Sequence, residues 1–259
     1  MRETVTVTGM ILQSSPIQEY DRRVELLTKE RGRISAFAKG ARRPNSVLCA
    51  CTLLFTFGEF QIYEGRSSHT LVSGTIRNQF GDLAEDYDSL CYCSYFAEMA
   101  RYFTRENLEA AQELLLVYVT MRAVMARKQP LPLIRVVYEL RLMQLEGEML
   151  EFFQCLGCGQ TGIQTVYLSA GGLLCEACAA KEPELREIQP VRISGDALYT
   201  IQYILTAELE RLFAFQVSED VLLELQKFMK RYLARYLPHR FSTLAFLESE
   251  GVGKKGSGT

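Results

Sequence analysis

Four of the eight cysteines form two pairs with the spacing of a metal-binding site. Cys155 and Cys158 make one C-x2-C pair, and Cys175 and Cys178 make a second pair after sixteen intervening residues. Each pair lets two thiolates point at one tetrahedral ion, and two pairs at this separation are typical of zinc ribbons and knuckles. The spacing therefore predicts one structural Zn2+ per chain, because four protein ligands leave no open position for a reactive water.

The alternative interpretation of Cys155, Cys158, Cys175 and Cys178 is a set of buried or redox-active thiols.

The other four cysteines form C-x-C pairs, Cys49 with Cys51 in a predicted strand and Cys91 with Cys93 in a predicted helix. We expect these two pairs to pack in the core, as reduced cysteines commonly do.

Few residues of the chain suggest catalysis. Its two histidines, His69 and His239, lie in unrelated contexts, and the sequence contains no Gly-rich phosphate loop and no G-x-S-x-G motif. A zinc deaminase would need an H-x-E or C-x-E element ahead of P-C-x-x-C, and neither occurs. We therefore predict a protein that is not an enzyme.

A basic stretch near the N-terminus is the second feature with chemical meaning. Between positions 21 and 43 there are eight basic residues against three acidic ones, although the whole chain has a net charge of −2. This stretch has the sign of a phosphate-binding surface, and the alternative is a solvated strand face. Four nearby aromatic residues offer stacking surfaces for bases, or else belong to the core. These aromatics are Phe37, Phe57, Phe60 and Tyr63.

The elements that carry these residues change from strands to helices along the chain. Alternating and β-branched residues predict five strands in the first 80 residues, with a hairpin turn at Glu30–Arg33 and a bulge at Gly58. Five such strands fit an OB-fold barrel, and a small SH3-like barrel fits the composition equally. The predicted strands are Thr4–Thr8, Val24–Thr28, Ile34–Ala38, Thr52–Tyr63 and Thr70–Ile76.

Helical periodicity begins near Asp82, with further helices predicted at Glu106–Arg127 and at Pro132–Gly147. It resumes behind Ser194 and Ser218, which are expected N-caps. The predicted fold is thus multidomain α+β, an OB-fold barrel followed by a helical domain that carries the four-cysteine insert. The predicted domains are 1–80 for the barrel, 81–150 with 190–248 for the helices, 151–189 for the insert, and 249–259 for a disordered tail.

The composition bounds the location of the protein. With 48% hydrophobic residues the chain holds enough apolar material for a core, but no stretch approaches the roughly 20 apolar residues of a membrane span. The first ten residues, MRETVTVTGM, lack the apolar segment of a signal peptide. We expect a cytoplasmic protein of a bacterial nucleoid, without a membrane partner.

Several motifs resemble the RecO family of recombination mediators. The run GRISAFAKGARRP at 32–44, GEF at 58–60 and GGLLC at 171–175 are similar to that family, as is the order of barrel, helices, four-cysteine insert and closing helices. The resemblance implies a protein that binds single- and double-stranded DNA and anneals complementary strands. It also implies that the protein works with RecR to load RecA onto gaps coated by single-strand-binding protein.

The resemblance also implies which residues contact these partners. Six barrel cations are expected to bind DNA: Arg22, Arg23, Arg33, Lys39, Arg42 and Arg43. The acidic, apolar-ended tail of single-strand-binding protein is expected in the helical region between positions 121 and 141, near the break at Gln129-Pro130. Its predicted contacts are Arg122, Arg127, Arg135 and Arg141.

Two alternative interpretations fit the same sequence. The basic and apolar residues between 121 and 141 also fit an ordinary helix pair with a solvated basic face. The whole chain also fits a zinc-ribbon protein that binds RNA or acts as an assembly scaffold without annealing DNA. The acidic remainder of the chain, with a pI near 5.9, departs from the pattern of a strong binder of bare DNA.

Overall fold

The computed structural model describes residues 4–65, 68–185 and 189–250. The described chain contains one five-stranded barrel, one small three-stranded sheet and a series of helices. The strands are β1 (Thr4–Ile17), β2 (Asp21–Thr28), β3 (Gly32–Ala38), β4 (Thr56–Tyr63), β5 (His69–Gln79), β6 (Thr165–Tyr167), β7 (Gly172–Leu173) and β8 (Val191–Arg192). The helices are α1 (Leu48–Cys51), α2 (Tyr87–Phe103), α3 (Ala111–Ala126), α4 (Leu131–Leu145), α5 (Glu176–Ala179), α6 (Gly195–Thr206), α7 (Glu219–Tyr236) and α8 (Ser242–Glu250).

The first five strands close into a barrel in the order β1-β2-β3-β5-β4. The β3–β5 pair is parallel and the other neighbours are antiparallel. Side chains alternate along each strand, so that Val24, Leu26, Ile34, Phe60 and Ile62 fill the interior. The prediction of a five-stranded OB-fold barrel is confirmed.

Two glycines are required by close backbone approaches at the barrel. Gly32 has a φ of +62°, and a Cβ there would lie 2.0 Å from the carbonyl oxygen of Arg105. A Cβ on Gly58 would lie 2.2 Å from the carbonyl oxygen of Thr75, at a shift in the β4–β5 register. The predicted hairpin turn and the predicted bulge are both present.

The segment before β4 differs from the sequence prediction. A strand was expected from Thr52, but β4 begins at Thr56, because residues 48–51 form the short helix α1. The hydroxyl of Thr52 donates to the carbonyl of Leu48 at 2.7 Å and ends that turn. Cys49 and Cys51 therefore lie on a helix, and their predicted placement in a strand is wrong.

The chain divides into two compact units, one of residues 1–128 with 241–259 and one of residues 129–240. The first unit joins the barrel to α2, α3 and α8. The predicted helix Glu106–Arg127 starts late, at Ala111, because the backbone of 105–110 runs along the β2–β3 hairpin instead. In that segment the Asn107 amide donates to the Arg31 carbonyl at 3.0 Å, and the Arg33 amide donates to the Arg105 carbonyl at 3.2 Å.

The second unit packs α4 against α6 and α7. The Ser194 and Ser218 side chains accept hydrogen bonds from the amides of Ala197 and Val221, so both predicted N-caps are confirmed. Gly147 follows α4 with a φ of +80°, as expected of a residue that ends a helix.

The predicted domain boundaries follow changes of element type and stay predictions. The boundaries of the two compact units lie elsewhere, after positions 128 and 240. Helix α4 therefore belongs to the same unit as the insert. Of the predicted tail at 249–259, the first two positions end α8, and residues 251–259 lie outside the described residues.

Candidate metal centre and nucleic-acid interface

The four predicted metal ligands meet in the second unit. The Sγ atoms of Cys155, Cys158, Cys175 and Cys178 all lie within 4.8 Å of one another. The Cys158 and Cys175 sulfurs are 3.8 Å apart, well beyond the roughly 2.05 Å of a disulfide bond. Four free thiols at this separation match the ligand set of a tetrahedral thiolate site.

Local backbone structure turns each cysteine pair toward the other. The Gly159 amide donates to the Cys155 carbonyl at 2.9 Å, and the Cys178 amide donates to the Cys175 carbonyl at 3.1 Å. The Cys175 amide also donates to the Cys155 sulfur at 3.3 Å. A Cβ on Gly157 would lie 2.8 Å from the Cys178 sulfur, so a larger residue there would intrude on the cluster.

The thiols of the cluster differ in proton affinity. Burial acts to raise the pKa of Cys155, but hydrogen bonds from the amides of Cys175, Gly157 and Cys158 together lower it to about 6. Hydrogen bonding with Cys175 and Cys158 raises the pKa of Cys178 to about 12. The cluster thus already stabilises one thiolate, the form in which cysteine binds metals.

The core cluster around the cysteines of the insert is small. It consists of Cys155, Leu174, Ala179 and Leu185, with Ile163 and Tyr167 partly buried against it. A metal ligand is therefore itself one of four core residues. A core of this size requires an additional cross-link, and a bound metal ion supplies one.

At the barrel, the structure separates the six predicted DNA-binding cations into two groups. Arg22 and Arg33 are half-buried and have protein partners. Arg22 donates to the Thr52 carbonyl at 3.2 Å, and Arg33 pairs with Glu25 at 3.5 Å. The exposed group consists of Arg23, Lys39, Arg42 and Arg43.

Three of the exposed cations gather where the β1–β2 connection meets the loop after β3. The Arg42 amide donates to the Tyr20 carbonyl at 2.8 Å, and its guanidinium donates to the Glu19 carbonyl at 3.1 Å. The Arg43 guanidinium lies over the Tyr20 ring, 5.3 Å from its centroid. With Phe37 and Lys39, the residues Tyr20, Arg42 and Arg43 are called the barrel-end cluster below.

The predicted stacking aromatics also separate. Phe37 is 37% exposed, whereas Phe60 is a core residue. The Phe57 ring packs on Tyr118 with centroids 4.7 Å apart. Sequence reasoning missed Tyr20, which is 41% exposed. Its position in a three-residue connection between two strands was the available signal, since such a short turn seldom reaches the core.

The four cations predicted to bind a partner tail fall in different units. Arg122 and Arg127 are exposed in the first unit, where Arg127 pairs with Asp86 at 3.5 Å. In the second unit Arg135 pairs with the buried Glu139 at 2.7 Å. Arg141 donates to the Leu205 carbonyl at 2.9 Å, and burial lowers the pKa of its guanidinium. The predicted tail site stays a prediction.

None of the helices in the described residues combines the length and apolarity needed to cross a membrane.

Comparison with known proteins decides the family. The model described as Recombination protein O N terminal matches residues 1–80, and the one described as Recombination protein O C terminal matches residues 84–245. The chain belongs to the RecO family. The family predicted from the motifs at 32–44, 58–60 and 171–175 is therefore confirmed, and the match covers nearly the whole chain.

Individual RecO relatives match at full length. The DNA repair protein RecO of Acetivibrio thermocellus is 30% identical over 246 residues, which cover 93% of this chain and 95% of the relative. The DNA repair protein RecO of Symbiobacterium thermophilum is 30% identical over 250 residues, covering 94% and 96%. That of Desulforamulus reducens is 24% identical over 254 residues, covering 97% and 96%.

Proposed function

We propose that the protein is a recombination mediator of bacterial DNA repair, which acts by binding DNA rather than by catalysis. One observation carries this proposal: a RecO-family barrel exposes cations and aromatic rings together in the barrel-end cluster. Cations bind phosphates of any sequence, and exposed rings stack on any unpaired base. The cluster thus suits single strands without fixed sequence, which are the substrates of a mediator.

The finer activities follow from the family rather than from the geometry. We propose that the protein anneals complementary strands, binds double-stranded DNA as well, and with RecR helps load RecA onto gaps coated by single-strand-binding protein. Outside the first 80 residues the chain carries 18 basic and 24 acidic residues. This net negative charge disfavours binding of the phosphates of a nucleic acid there. DNA contact is accordingly assigned to the barrel.

The metal of the second unit is proposed to be one structural Zn2+. The residues that would hold it are Cys155, Cys158, Cys175 and Cys178, whose sulfurs already lie within 4.8 Å of one another. Four thiolate ligands favour zinc among the common divalent metals and leave it no open position. The metal would stabilise the insert and take no part in chemistry.

The direct test is strand annealing with the full-length protein. Two complementary fluorescent strands, bare or coated with single-strand-binding protein, should pair faster in its presence. Single-stranded DNA and RNA of equal length should be compared in the same buffer. Absence of annealing together with tighter binding of RNA would instead indicate an RNA-binding protein, because only an RNA reader gains from the 2′-hydroxyl.

The tail of single-strand-binding protein is proposed to bind near the exposed cations at the end of α3. Reversing Arg122 and Arg127 to Glu should weaken binding of a fluorescent tail peptide several-fold, because the acidic tail would then meet like charges. The exposed Lys181, reversed to Glu as a control, should leave peptide affinity unchanged. Unchanged affinity in the double variant would place the tail site elsewhere.

A further inference from the structure

A polar cavity of about 600 Å³ opens on the outside of the barrel, next to the barrel-end cluster. Its walls come from four parts of the first unit: Arg23 on β2, Phe37 on β3, His69 at the start of β5, and Glu106 in the segment before α3. Ser35, Glu64, Gly65, Ser68 and Asn107 also line it. A volume of this size accepts a small organic ligand.

Contacts within the barrel hold the walls of this cavity in place. Parallel pairing sets Ala36 opposite His69 and Phe37 opposite Thr70. Both Phe37 and His69 line the cavity. The His69 Nε2 atom lies 2.6 Å from a Glu106 carboxylate oxygen. Between the neighbouring strands β2 and β3, the Arg23 Nε donates to the Ser35 hydroxyl at 3.0 Å.

The backbone around Glu106 is fixed as well. It forms a bridge with Gly32, whose missing side chain allows the approach, and the neighbouring Asn107 amide donates to the Arg31 carbonyl. The sides of the cavity formed by Arg23 and Glu106 are therefore held in place before a ligand arrives, which lowers the entropic cost of binding.

The cavity differs in charge from the surface around it. Its described lining residues include the carboxylates of Glu64 and Glu106 together with Arg23 and His69, whereas the adjacent barrel-end cluster is cationic. Each carboxylate has a basic neighbour, since Glu106 lies 2.6 Å from His69 Nε2 and Glu64 lies 3.7 Å from Arg31 Nε. Carboxylates are acceptors only, so the cavity favours a ligand that presents N–H donors and an aromatic face for Phe37.

We propose that this cavity binds one unpaired nucleobase of the DNA strand, guanine in preference to the others. The inference rests on the proposed function, which brings a single strand to Phe37 and Lys39. Guanine carries adjacent N1–H and N2–H donors that match the two oxygens of the Glu106 carboxylate, which keeps lone pairs for further bonds beside its contact with His69. The rings of guanine can stack on Phe37. Thymine offers one N–H between two carbonyl oxygens, which a carboxylate repels. A base in a duplex has this edge occupied by its partner and is excluded.

The test is a titration of the full-length protein with labelled 15-residue thymidine strands that carry one central substitution. Replacing one thymine by guanine should tighten binding on the order of tenfold, the effect of one bidentate contact to a base. Inosine lacks the N2 amino group, so a strand with inosine should lie between these two. This comparison needs only the unmodified protein.

Glu106→Gln provides the protein side of the test. The Gln amide replaces one carboxylate oxygen by an NH2 group, which opposes one of the two N–H donors of guanine. The preference for guanine should therefore be lost while affinity for the all-thymidine strand stays. Glu59→Gln is the matched control, since that carboxylate lies on β4 of the same barrel and pairs with Arg77 at 2.8 Å. It should retain the preference.

Each outcome decides the proposal. Equal binding of the guanine, inosine and thymidine strands overturns it and leaves DNA binding by the barrel intact. A guanine preference that survives in a folded Glu106→Gln variant overturns it too. If none of the strands binds, the proposed function itself fails, and the base-binding site fails with it.

Discussion

The barrel and the cysteine insert place chemically active residues in opposite relations to the fold. In the barrel the core consists of apolar residues such as Leu26 and Phe60, and the cations of the barrel-end cluster sit on its outside. In the insert, Cys155 belongs to the core cluster itself. We therefore expect the barrel to stay folded without its binding residues and the insert to unfold without its metal ligands.

Loss of the metal should unfold the insert and spare the barrel. A Cys155→Ser/Cys175→Ser variant is expected to contain no zinc and to be cleaved by protease within 151–185, because structural zinc contributes about 10–16 kcal/mol to small domains. Metal analysis and limited proteolysis measure both effects. Cys49→Ser, on α1 of the barrel unit, is the control and should keep one zinc per chain. Unfolding of the barrel in the double variant would contradict the separation.

Two phenylalanines of the barrel should separate stability from binding. Phe60 is 1% exposed, so Phe60→Ala should lower the free energy of unfolding by about 3–5 kcal/mol. Phe37 is 37% exposed, and Phe37→Ala should change stability little but weaken single-strand binding by about 1–3 kcal/mol. Denaturant melts and DNA titrations of both variants test this. Similar stability losses would show that Phe37 belongs to the core.

The salt dependence of DNA binding should report the barrel-end cluster. If four cations contact phosphates, the slope of log affinity against log salt for single strands is near −3, at about −0.7 per contact. A Lys39→Ala/Arg42→Ala/Arg43→Ala variant leaves one of these contacts and should bring the slope to about −0.7. Arg77→Ala removes an exposed cation of β5 elsewhere on the barrel and should leave the slope unchanged. Normal binding by the triple variant would assign DNA to another surface.

Acid should loosen α8 in the barrel unit. Burial acts to raise the pKa of Glu98, but hydrogen bonds from the side chains and amides of Thr243 and Ser242 together hold it below its ordinary value. A lowered carboxyl pKa stabilises the fold fully above about pH 4.3, and this contribution is lost as pH falls through the lower folded value. The NMR signals of the Ser242 and Thr243 amides should therefore shift as the pH falls below about 4.3. In Glu98→Gln this pH dependence should be absent.

Local features of the fold were predictable from the sequence. The side chains of the N-caps Ser194 and Ser218 accept hydrogen bonds from amides three positions further along the chain. In each C-x2-C pair, the short spacing is enough to bring two sulfurs to one site. The five strands followed from alternation, which depends on which face of a strand is buried. The start of α3 was predicted wrongly because residues 105–110 form backbone hydrogen bonds with the β2–β3 hairpin. Hydrophobic periodicity reports only local structure and cannot predict a contact between segments so distant in sequence.

The sequence by itself determined that the chain belongs to the RecO family, has a barrel with a basic stretch, and holds four cysteines in ligand spacing. Only the tertiary structure decided which of six cations are exposed, because alternate residues of one strand face opposite sides and only packing shows which side is covered. It likewise paired Tyr20 with Arg43 and brought His69 to Glu106, 37 positions away. Contacts at such distances depend on how the strands close, and that closure is a property of the whole barrel.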